Sequence, residues 1–404
     1  MKTRAMFAAV VGAAVSGSAL SAESLRDALA ATKPIVDWRL RYEGVDQAGF
    51  VENADALTSR LRAGIVTGEL GGTSLLAEGV WVEDLLDDYD STTNGATEYP
   101  VVADPAGFAA VNRFAVVNRS LENATFTVGR QRIIHGNARF VGNVGWRQNE
   151  QTFDGVRAEV GFGRTKLDVA YANQVNRVFG PDSPVGRWDG DLVLARVSRP
   201  FEWGEAAAFA YRLELDDAPA MSSDTYGIEL VGSRPIGGGI SGRYAAAIAR
   251  QTDRHPSPLD LDETYSLFEV GIGFSGVTID IGRETLGGNG QAAFSTPLAT
   301  LHLFQGWTDK FLATPPAGIV DTYLEVGYAV GARGPFERVA IVAAFRSLES
   351  DAGSASYGDE LDVSLVAKLA RLSRTTFTLK YADYAADELH TDTVKLWASV
   401  DYAF

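Results

Sequence analysis

The sequence predicts an all-β fold, a transmembrane antiparallel up-and-down β-barrel of 18 strands, and three observations support this prediction. Segments of about ten residues alternate apolar and polar side chains from Pro34 to Phe404, the period of a strand with two different faces. The connections alternate between short and long, as in outer-membrane barrels. No helical stretch covers the strands, so lipid is the expected apolar phase. A soluble all-β domain is the alternative, but it does not explain the alternating connections.

The first element is an export signal, residues 1–22, which precedes a barrel domain at 23–404. Lys2 and Arg4 give the positive start, residues 7–15 the apolar centre and residues 16–22 a small-residue tail. We expect cleavage after Ala22, with Ala19 as the second choice, and a retained N-terminal helix is the alternative. No later segment approaches the roughly 20 apolar residues of a membrane-spanning helix.

Eighteen strands follow, and the first and last show the alternation best. In the first, Trp38 and Leu40 face one way while Arg39 and Arg41 face the other. In the last, Leu396 and Lys395 lie on opposite faces in the same way. The predicted strands are 34–43, 57–67, 73–83, 110–118, 124–132, 151–162, 164–175, 188–199, 206–216, 225–234, 239–250, 264–274, 277–284, 320–330, 337–347, 360–370, 375–384 and 393–404.

The even-numbered connections are short and rich in Gly, Pro, Asn and Ser, the residues of tight turns. The odd-numbered ones are longer and more polar, the longest being 84–109 and 284–319, followed by 133–150 and 251–263. In outer-membrane barrels the short turns lie in the periplasm and the long loops outside. An even number of strands therefore places both chain ends on the short-turn side.

Composition excludes one class of partner. Removal of residues 1–22 takes two positive charges and no negative ones, so the net charge falls from −16 to −18. Such a surface repels nucleic acid, which requires a basic face. The absence of cysteine fits an oxidising compartment, and the uninterrupted strand series indicates one large domain.

Strand parity predicts which charged residues line a channel, because a charge facing lipid near mid-membrane costs roughly 2–4 kcal/mol. The polar faces of the first two strands carry four arginines, which can form a cationic wall that binds carboxylate or phosphate. The alternative is a structural ladder in which Asp37, Glu43 and nearby acids pair with these arginines. The predicted pore-lining basic residues are Arg39, Arg41, Arg60, Arg62, Arg130, Arg132, Arg157, Lys166, Arg212 and Arg243. Further inward candidates are Glu159, Asp168, Glu214, Glu325, Lys368, Lys380 and Lys395.

Two Gly-Arg pairs conflict with strict alternation. Arg130 shares the parity of Val128, which reads as lipid-facing, and Arg283 presents the same conflict. A bulge at Gly129 would shift the phase by one residue. We therefore expect both arginines to turn into the pore or to lie at its rim.

The 284–319 connection is the predicted gate, because a long loop of a wide barrel often folds inward. The predicted gating residues are Gln305, Trp307, Asp309 and Lys310, and the alternative is an outer cap that never enters. Asp87, Asp88 and Asp90 could bind a divalent ion, but their spacing does not complete an EF-hand loop and a solvated acidic loop is favoured. The four histidines show no metal-ligand spacing. We expect no metal, no cofactor and no catalytic residues.

Three stretches carry a family resemblance: VGRQRIIHGNARFVGNVGWRQNEQTFDGV at 128–156, FSTPLATLHLFQGWTDKFLATPPAGI at 294–319 and WRLRYE at 38–43. They resemble the alginate-export family of outer-membrane porins. The resemblance implies an 18-stranded barrel in the outer membrane of a Gram-negative bacterium. It also implies a pore role for Arg130 and Arg132. The family's best-known member conducts an anionic uronic-acid polysaccharide through an arginine-lined constriction.

Three functions are compatible with these features. The first is a passive or gated channel for small or oligomeric anionic solutes, including uronic-acid-type saccharides, acting as a monomer surrounded by outer-membrane lipid. The second is an exit pore for an acidic exopolysaccharide such as alginate, working with a periplasmic scaffold. The third is a barrel hydrolase, for which Ser295 and His302 are the nearest serine–histidine pair, without a recognisable third member. The sequence favours the non-enzymatic channel.

Overall fold

The computed structural model describes residues 22–105, 107–372 and 374–404. The predicted signal peptide lies outside the described residues, except for Ala22. That residue begins α1 (Ala22–Ala30), a short helix at the short-turn end that the sequence analysis did not predict. The backbone N–H of Gly68, in the first short turn, donates a hydrogen bond to the Ala28 carbonyl at 2.9 Å and ties α1 to the barrel.

Eighteen strands follow α1 in chain order, and their bounds agree with the predicted ones to within several residues. They are β1 (Lys33–Gln47), β2 (Ala54–Val66), β3 (Thr73–Asp88), β4 (Phe108–Asn118), β5 (Ala124–Gln131), β6 (Thr152–Phe162), β7 (Thr165–Asn176), β8 (Arg187–Phe201), β9 (Gly204–Leu215), β10 (Ser223–Gly237), β11 (Ile240–Asp253), β12 (Asp262–Phe274), β13 (Val277–Leu286), β14 (Ile319–Val330), β15 (Phe336–Glu349), β16 (Ser356–Leu369), β17 (Thr375–Ala386) and β18 (Thr393–Ala403).

The strands form one closed antiparallel sheet. Each pairs with the next along the chain, and β18 pairs with β1 in a register that places Leu40 opposite Val400. The predicted fold class, an 18-stranded up-and-down barrel, is confirmed. Several strands extend further than predicted at the long-loop end, where β1 reaches Gln47 and β3 reaches Asp88.

The side chains alternate between an apolar outer face and an inner face. On β18, Leu396 is 48% exposed on the outside, whereas Lys395 and Trp397 are buried on the inside. Within the described ranges, none of the helices has the length and apolar character needed to cross a membrane.

The largest buried apolar cluster lies inside the barrel. It joins inner-face residues of β7, β8, β9, β11 and β12, among others, to two long connections, L3 (residues 132–151) and L7 (residues 287–318). The ring of Phe140 in L3 lies 4.6 Å from that of Phe209 on β9 and 5.0 Å from that of Tyr265 on β12. The inner wall is therefore apolar on this side, and the two loops fill the space in front of it.

Candidate functional site: a charged constriction inside the barrel

The remaining side of the lumen is a basic wall, formed by inward cations of four neighbouring strands. Register places Arg39 of β1 directly opposite Arg60 of β2, and Asp37 opposite Arg62. Like charges directly opposite each other destabilise a sheet unless they find other partners. The basic wall consists of Arg39, Arg41, Arg60, Arg62, Lys380 and Lys395.

Carboxylates partly neutralise these cations. Asp37 pairs with Arg60 and lies 3.6 Å from Arg62, and Asp401 lies 2.5 Å from Arg39. The arginines of the cationic wall are therefore also the arginines of the structural ladder, because they pair with acids of neighbouring strands. Hydrogen-bonding capacity remains, because Arg60 Nε and Nη1 have no hydrogen-bond partner in the described part of the chain.

Loop L3 lies directly against the basic wall. The Trp146 carbonyl accepts hydrogen bonds from Arg39 Nη1 at 2.9 Å and from Arg41 Nη1 at 2.5 Å. Arg62 Nη2 donates to the Gln148 carbonyl at 3.4 Å. The arginines thus hold an irregular backbone segment within the barrel by charge-assisted hydrogen bonds.

Loop L7 meets L3 from the opposite side and is anchored on inward carboxylates of β13 and β16. Gln305 donates to Glu284, and the backbone N–H groups of Trp307 and Thr308 donate to Asp362 at 3.3 Å and to Glu360 at 2.8 Å. The predicted inward fold of this connection is what the structure shows. Gln305, Trp307, Asp309 and Lys310 all belong to the inserted loop, and their gating role stays a prediction.

A four-residue clasp, consisting of Arg147 of L3, His302 and Asp309 of L7 and Lys380 of β17, joins both loops to the wall. Asp309 accepts hydrogen bonds from Arg147 Nη2 at 2.7 Å and from His302 Nδ1 at 2.9 Å. His302 Nε2 lies 2.6 Å from Lys380 Nζ. The contact to Lys380 requires an unprotonated Nε2, so the clasp holds a neutral His302 whose Nδ1 carries the hydrogen.

Tryptophans surround the clasp. The Trp146 ring stacks on His302 with a centroid distance of 4.5 Å, and Trp397 meets both rings edge-on. The Lys380 ammonium lies 3.7 Å from the Trp307 ring centroid and 4.1 Å from that of Trp146, which are cation–π contacts. These rings shield the clasp from water and strengthen its electrostatics.

The environment shifts the acidity of the loop members of the clasp. Burial, assisted by the nearby Lys380 charge, lowers the pKa of His302 to about 3 against the pull of Asp309. Burial alone would raise the pKa of Asp309, but His302 and Arg147 outweigh it and hold this pKa well below its ordinary value. At neutral pH the clasp therefore contains a neutral imidazole and an ionised carboxylate.

Three basic residues do not face the lumen, which corrects the predictions made for them. Arg130 is paired in register with Phe114, an outward residue that is 55% exposed, and binds Asp154 at 2.7 Å and 2.8 Å. The register runs through Gly129 without the predicted bulge. Arg283 also faces outward, because it is paired in register with Phe268 of β12, an outward residue that is 65% exposed.

Arg212 is the third, and Glu214 shares its placement. On β9 the inward row is Phe209, Tyr211 and Leu213, which packs on the L3 side of the apolar cluster, so the polar row faces outward. The physical reason is that the inserted loops make the lumen apolar here, so the apolar row of β9 faces inward and its polar row faces outward. Among the other predicted pore-lining residues, Arg157, Lys166 and Arg243 lie on inward parity, and Arg132 binds Glu150 inside the barrel.

Sequence reasoning did not identify Arg147 and Trp146 as site residues and named His302 only for the disfavoured hydrolase, because loop contacts leave no periodic signal. Trp397 gave one signal of the site, because it is a tryptophan on the polar, inward row of β18.

No group of three or more metal-ligating side chains occurs in residues 22–105, 107–372 and 374–404. Both ring nitrogens of His302 contact clasp residues, Asp309 and Lys380, so neither is directed at the Ser295 hydroxyl that the hydrolase hypothesis requires.

Gly306 determines where L7 sits. Its φ is +92°, and a Cβ added there would lie 2.3 Å from Glu360 Oε2. We expect Gly306→Ala to displace L7, because backbone strain of about 1–3 kcal/mol adds to a steric clash. Hydrogen exchange of L7 should become faster in this variant. Gly290→Ala in the same loop is the matched control, since its φ is +89° and nothing lies within 4 Å of its Cβ position; equal exchange in the two variants would refute the steric role of Glu360.

The barrel closure and two inserted loops define a class, the wide outer-membrane-type barrel with an internal constriction, and the chain is similar in fold to solved outer-membrane proteins. The outer membrane protein OpdK of Pseudomonas aeruginosa superposes with a TM-score of 0.72 at 15% identity, over 93% of this chain and 99% of that one. OpdK solved with vanillate gives a TM-score of 0.70, also at 15% identity, over 93% and 99%. OccAB4 of Acinetobacter baumannii gives 0.70 at 9% identity, over 92% and 98%.

At these identities the similarity concerns the fold. No protein-family model matches the chain, and no curated protein does either. The comparisons therefore agree with the 18-stranded barrel that the sequence resemblance implied, but they give the alginate-export family itself no support.

Proposed function

We propose that the chain is an outer-membrane channel of a Gram-negative bacterium that passes small anionic solutes through the constriction between L3, L7 and the basic wall. The observation that carries this proposal is Lys310, whose ammonium has no ion-pair partner among the described residues. Burial and, to a smaller extent, the positive charge of Lys395 lower the pKa of Lys310 to about 8, against the opposing effect of Glu360. A carboxylate at this position would be stabilised by two adjacent ammonium groups.

The solute class follows from the chemistry of the passage. With L3 and L7 inserted beside the basic wall, we infer that the solute is a small carboxylate, such as an aromatic acid or a uronic-acid-type monosaccharide. The OpdK structure with vanillate, a carboxylate, supports this class by analogy of fold. The inserted loops are the observation against an exit pore for an exopolysaccharide, because a polymer would require both to move aside.

Ion selectivity tests the proposal. In planar bilayers under a KCl gradient, we expect the wild type to prefer chloride. The double variant Arg39→Ala, Arg60→Ala should reduce that preference at least about fivefold, since one unit charge at 4 Å contributes about 1 kcal/mol even in water. Arg130→Ala removes the same charge from the outer face and should leave selectivity unchanged. A cation preference that neither substitution changes would overturn the proposal.

A further inference from the structure

An apolar groove of 710 Å³ runs along the outer face of β9. Its floor is Ala206 and Ala208, and its walls are Val197 of β8 together with Ile228 and Leu230 of β10. Register places Val197, Ala208 and Ile228 in one row across the three strands. The walls are 38%, 55% and 39% exposed for Val197, Ile228 and Leu230, whereas the neighbouring inward Ala207 is 7% exposed. The groove thus opens away from the lumen.

The groove has one charged end. Arg199 lines it beside Ala206, at the short-turn end of β8, and is exposed. Throughout the residues that the structure describes, no hydrogen bond or ion pair to its guanidinium is found. The adjacent acids cannot neutralise it, because Glu205 and Glu229 point inside and bind Arg196 at 3.0 Å and 3.1 Å. A positive charge without a counter-charge therefore adjoins an apolar groove.

The same end carries the features of a headgroup region. Trp203, in the turn between β8 and β9, packs edge-on against Phe201 at 5.1 Å, and the Arg234 guanidinium lies 5.8 Å from its ring centroid. Tryptophan is enriched at membrane–water interfaces, and the long apolar stem of arginine lets its charged group reach the headgroups. Arg199 consequently lies at the height of lipid phosphates in the leaflet on the short-turn side.

We infer that this groove binds a glycerophospholipid, with the phosphate on Arg199 and one acyl chain over Ala206 and Ala208. The inference rests on the proposed membrane location. From Ala206 to Ala210 the outer row of β9 spans about 14 Å at 3.4 Å per residue, close to half of a hydrocarbon core of about 30 Å. A two-fold contact with a second copy through the same patch would bring two Arg199 side chains together, an unfavourable arrangement.

Native mass spectrometry of the detergent-solubilised barrel with added phosphatidylglycerol tests the inference. We expect one retained phosphatidylglycerol in the wild type, and an affinity at least about tenfold lower in Arg199→Gln, as expected for a lost hydrogen bond to a charged group. Ala208→Phe, which fills the groove, should lower the affinity as much. With diacylglycerol, which has no phosphate, only Ala208→Phe should weaken binding.

Two matched controls define the site. Arg212→Gln removes another outward arginine of the β9 region, and Ala158→Phe enlarges an outward alanine of β6; both should bind phosphatidylglycerol like the wild type. Undiminished binding in the two groove variants would overturn the inference. So would a stable wild-type dimer that Ala208→Phe dissociates, or retention of lipopolysaccharide in place of phosphatidylglycerol. Bilayer conductance of each variant separates this outcome from failure of the proposed function, because undiminished lipid binding in the groove variants with intact, anion-preferring conductance refutes the lipid site alone.

Discussion

Asp309→Ala should raise the single-channel conductance several-fold, the largest effect we expect from one substitution. Asp309 is the acceptor that holds Arg147 of L3 and His302 of L7 together. Without it, the buried Arg147 guanidinium loses its carboxylate partner. Leaving such a charge unpaired costs about 3–5 kcal/mol, enough for the loops to separate and the Arg147 side chain to reach water.

Single-channel recording and hydrogen exchange of L3 and L7 together check this expectation. Asp182→Ala is the control, since it removes one carboxylate from an exposed loop between β7 and β8. Unchanged conductance in Asp309→Ala, with L3 and L7 still protected from exchange, would show that the clasp does not determine the width of the passage.

The strands could be predicted from the sequence because lipid imposes one rule on every outer row. β18, for example, was predicted at 393–404 and lies at Thr393–Ala403, and β14 was predicted at 320–330 and lies at Ile319–Val330. The outer face is mostly apolar, and recognising it needs no knowledge of the loops. Fold class and strand bounds therefore depend only on local periodicity.

The inner row follows no such rule, which is why Arg212 was assigned to the wrong face. The alternation of side chains on β9 is unambiguous. The assignment of its polar row to the inside, however, assumed a water-filled lumen. L3 places Phe140 against Phe209, so the lumen is apolar there. Arg130 fails for a different reason. Its charge is tolerated on the outer face near the end of β5 because Asp154 neutralises it.

The candidate site could be predicted only in part. The inward arginines of β1 and β2 follow from parity, and the insertion of L7 from its length. The clasp depends on contacts between residues far apart in sequence, such as Arg147 with Asp309 and His302 with Lys380. Such contacts require the folded loops, and a lone histidine in a loop gives no periodic or spacing signal.

Acidification should open the channel through His302. The imidazole has a pKa of about 3 in the clasp and an ordinary value near 6.5 once L7 is released. Between these values the released state binds one more proton than the clasped state, so falling pH favours release. The stabilisation by neutral His302 is present above about pH 6.5 and decreases as pH falls.

The size of this effect follows from the same linkage. Each pH unit below about 6.5 shifts the equilibrium tenfold toward release, so pH 4.5 disfavours the clasp about a hundredfold relative to neutral pH. Protonated Nε2 would also face Lys380, with Arg147 close by and Asp309 as the one counter-charge in the clasp. Conductance measured from pH 7 to 4.5 should therefore rise in the wild type.

His302→Gln keeps the hydrogen-bonding groups and removes the titration in this range. Its conductance should stay flat from pH 7 to 4.5, because the clasp holds the pKa of Asp309 well below its ordinary value and this carboxylate keeps its charge over that range. A wild-type rise that persists unchanged in His302→Gln would assign the pH response to another group. His302 is the buried imidazole that contacts both the wall and Asp309. Asp309→Ala breaks the clasp at every pH, whereas His302→Gln removes only its response to pH, so the two variants together separate the two effects.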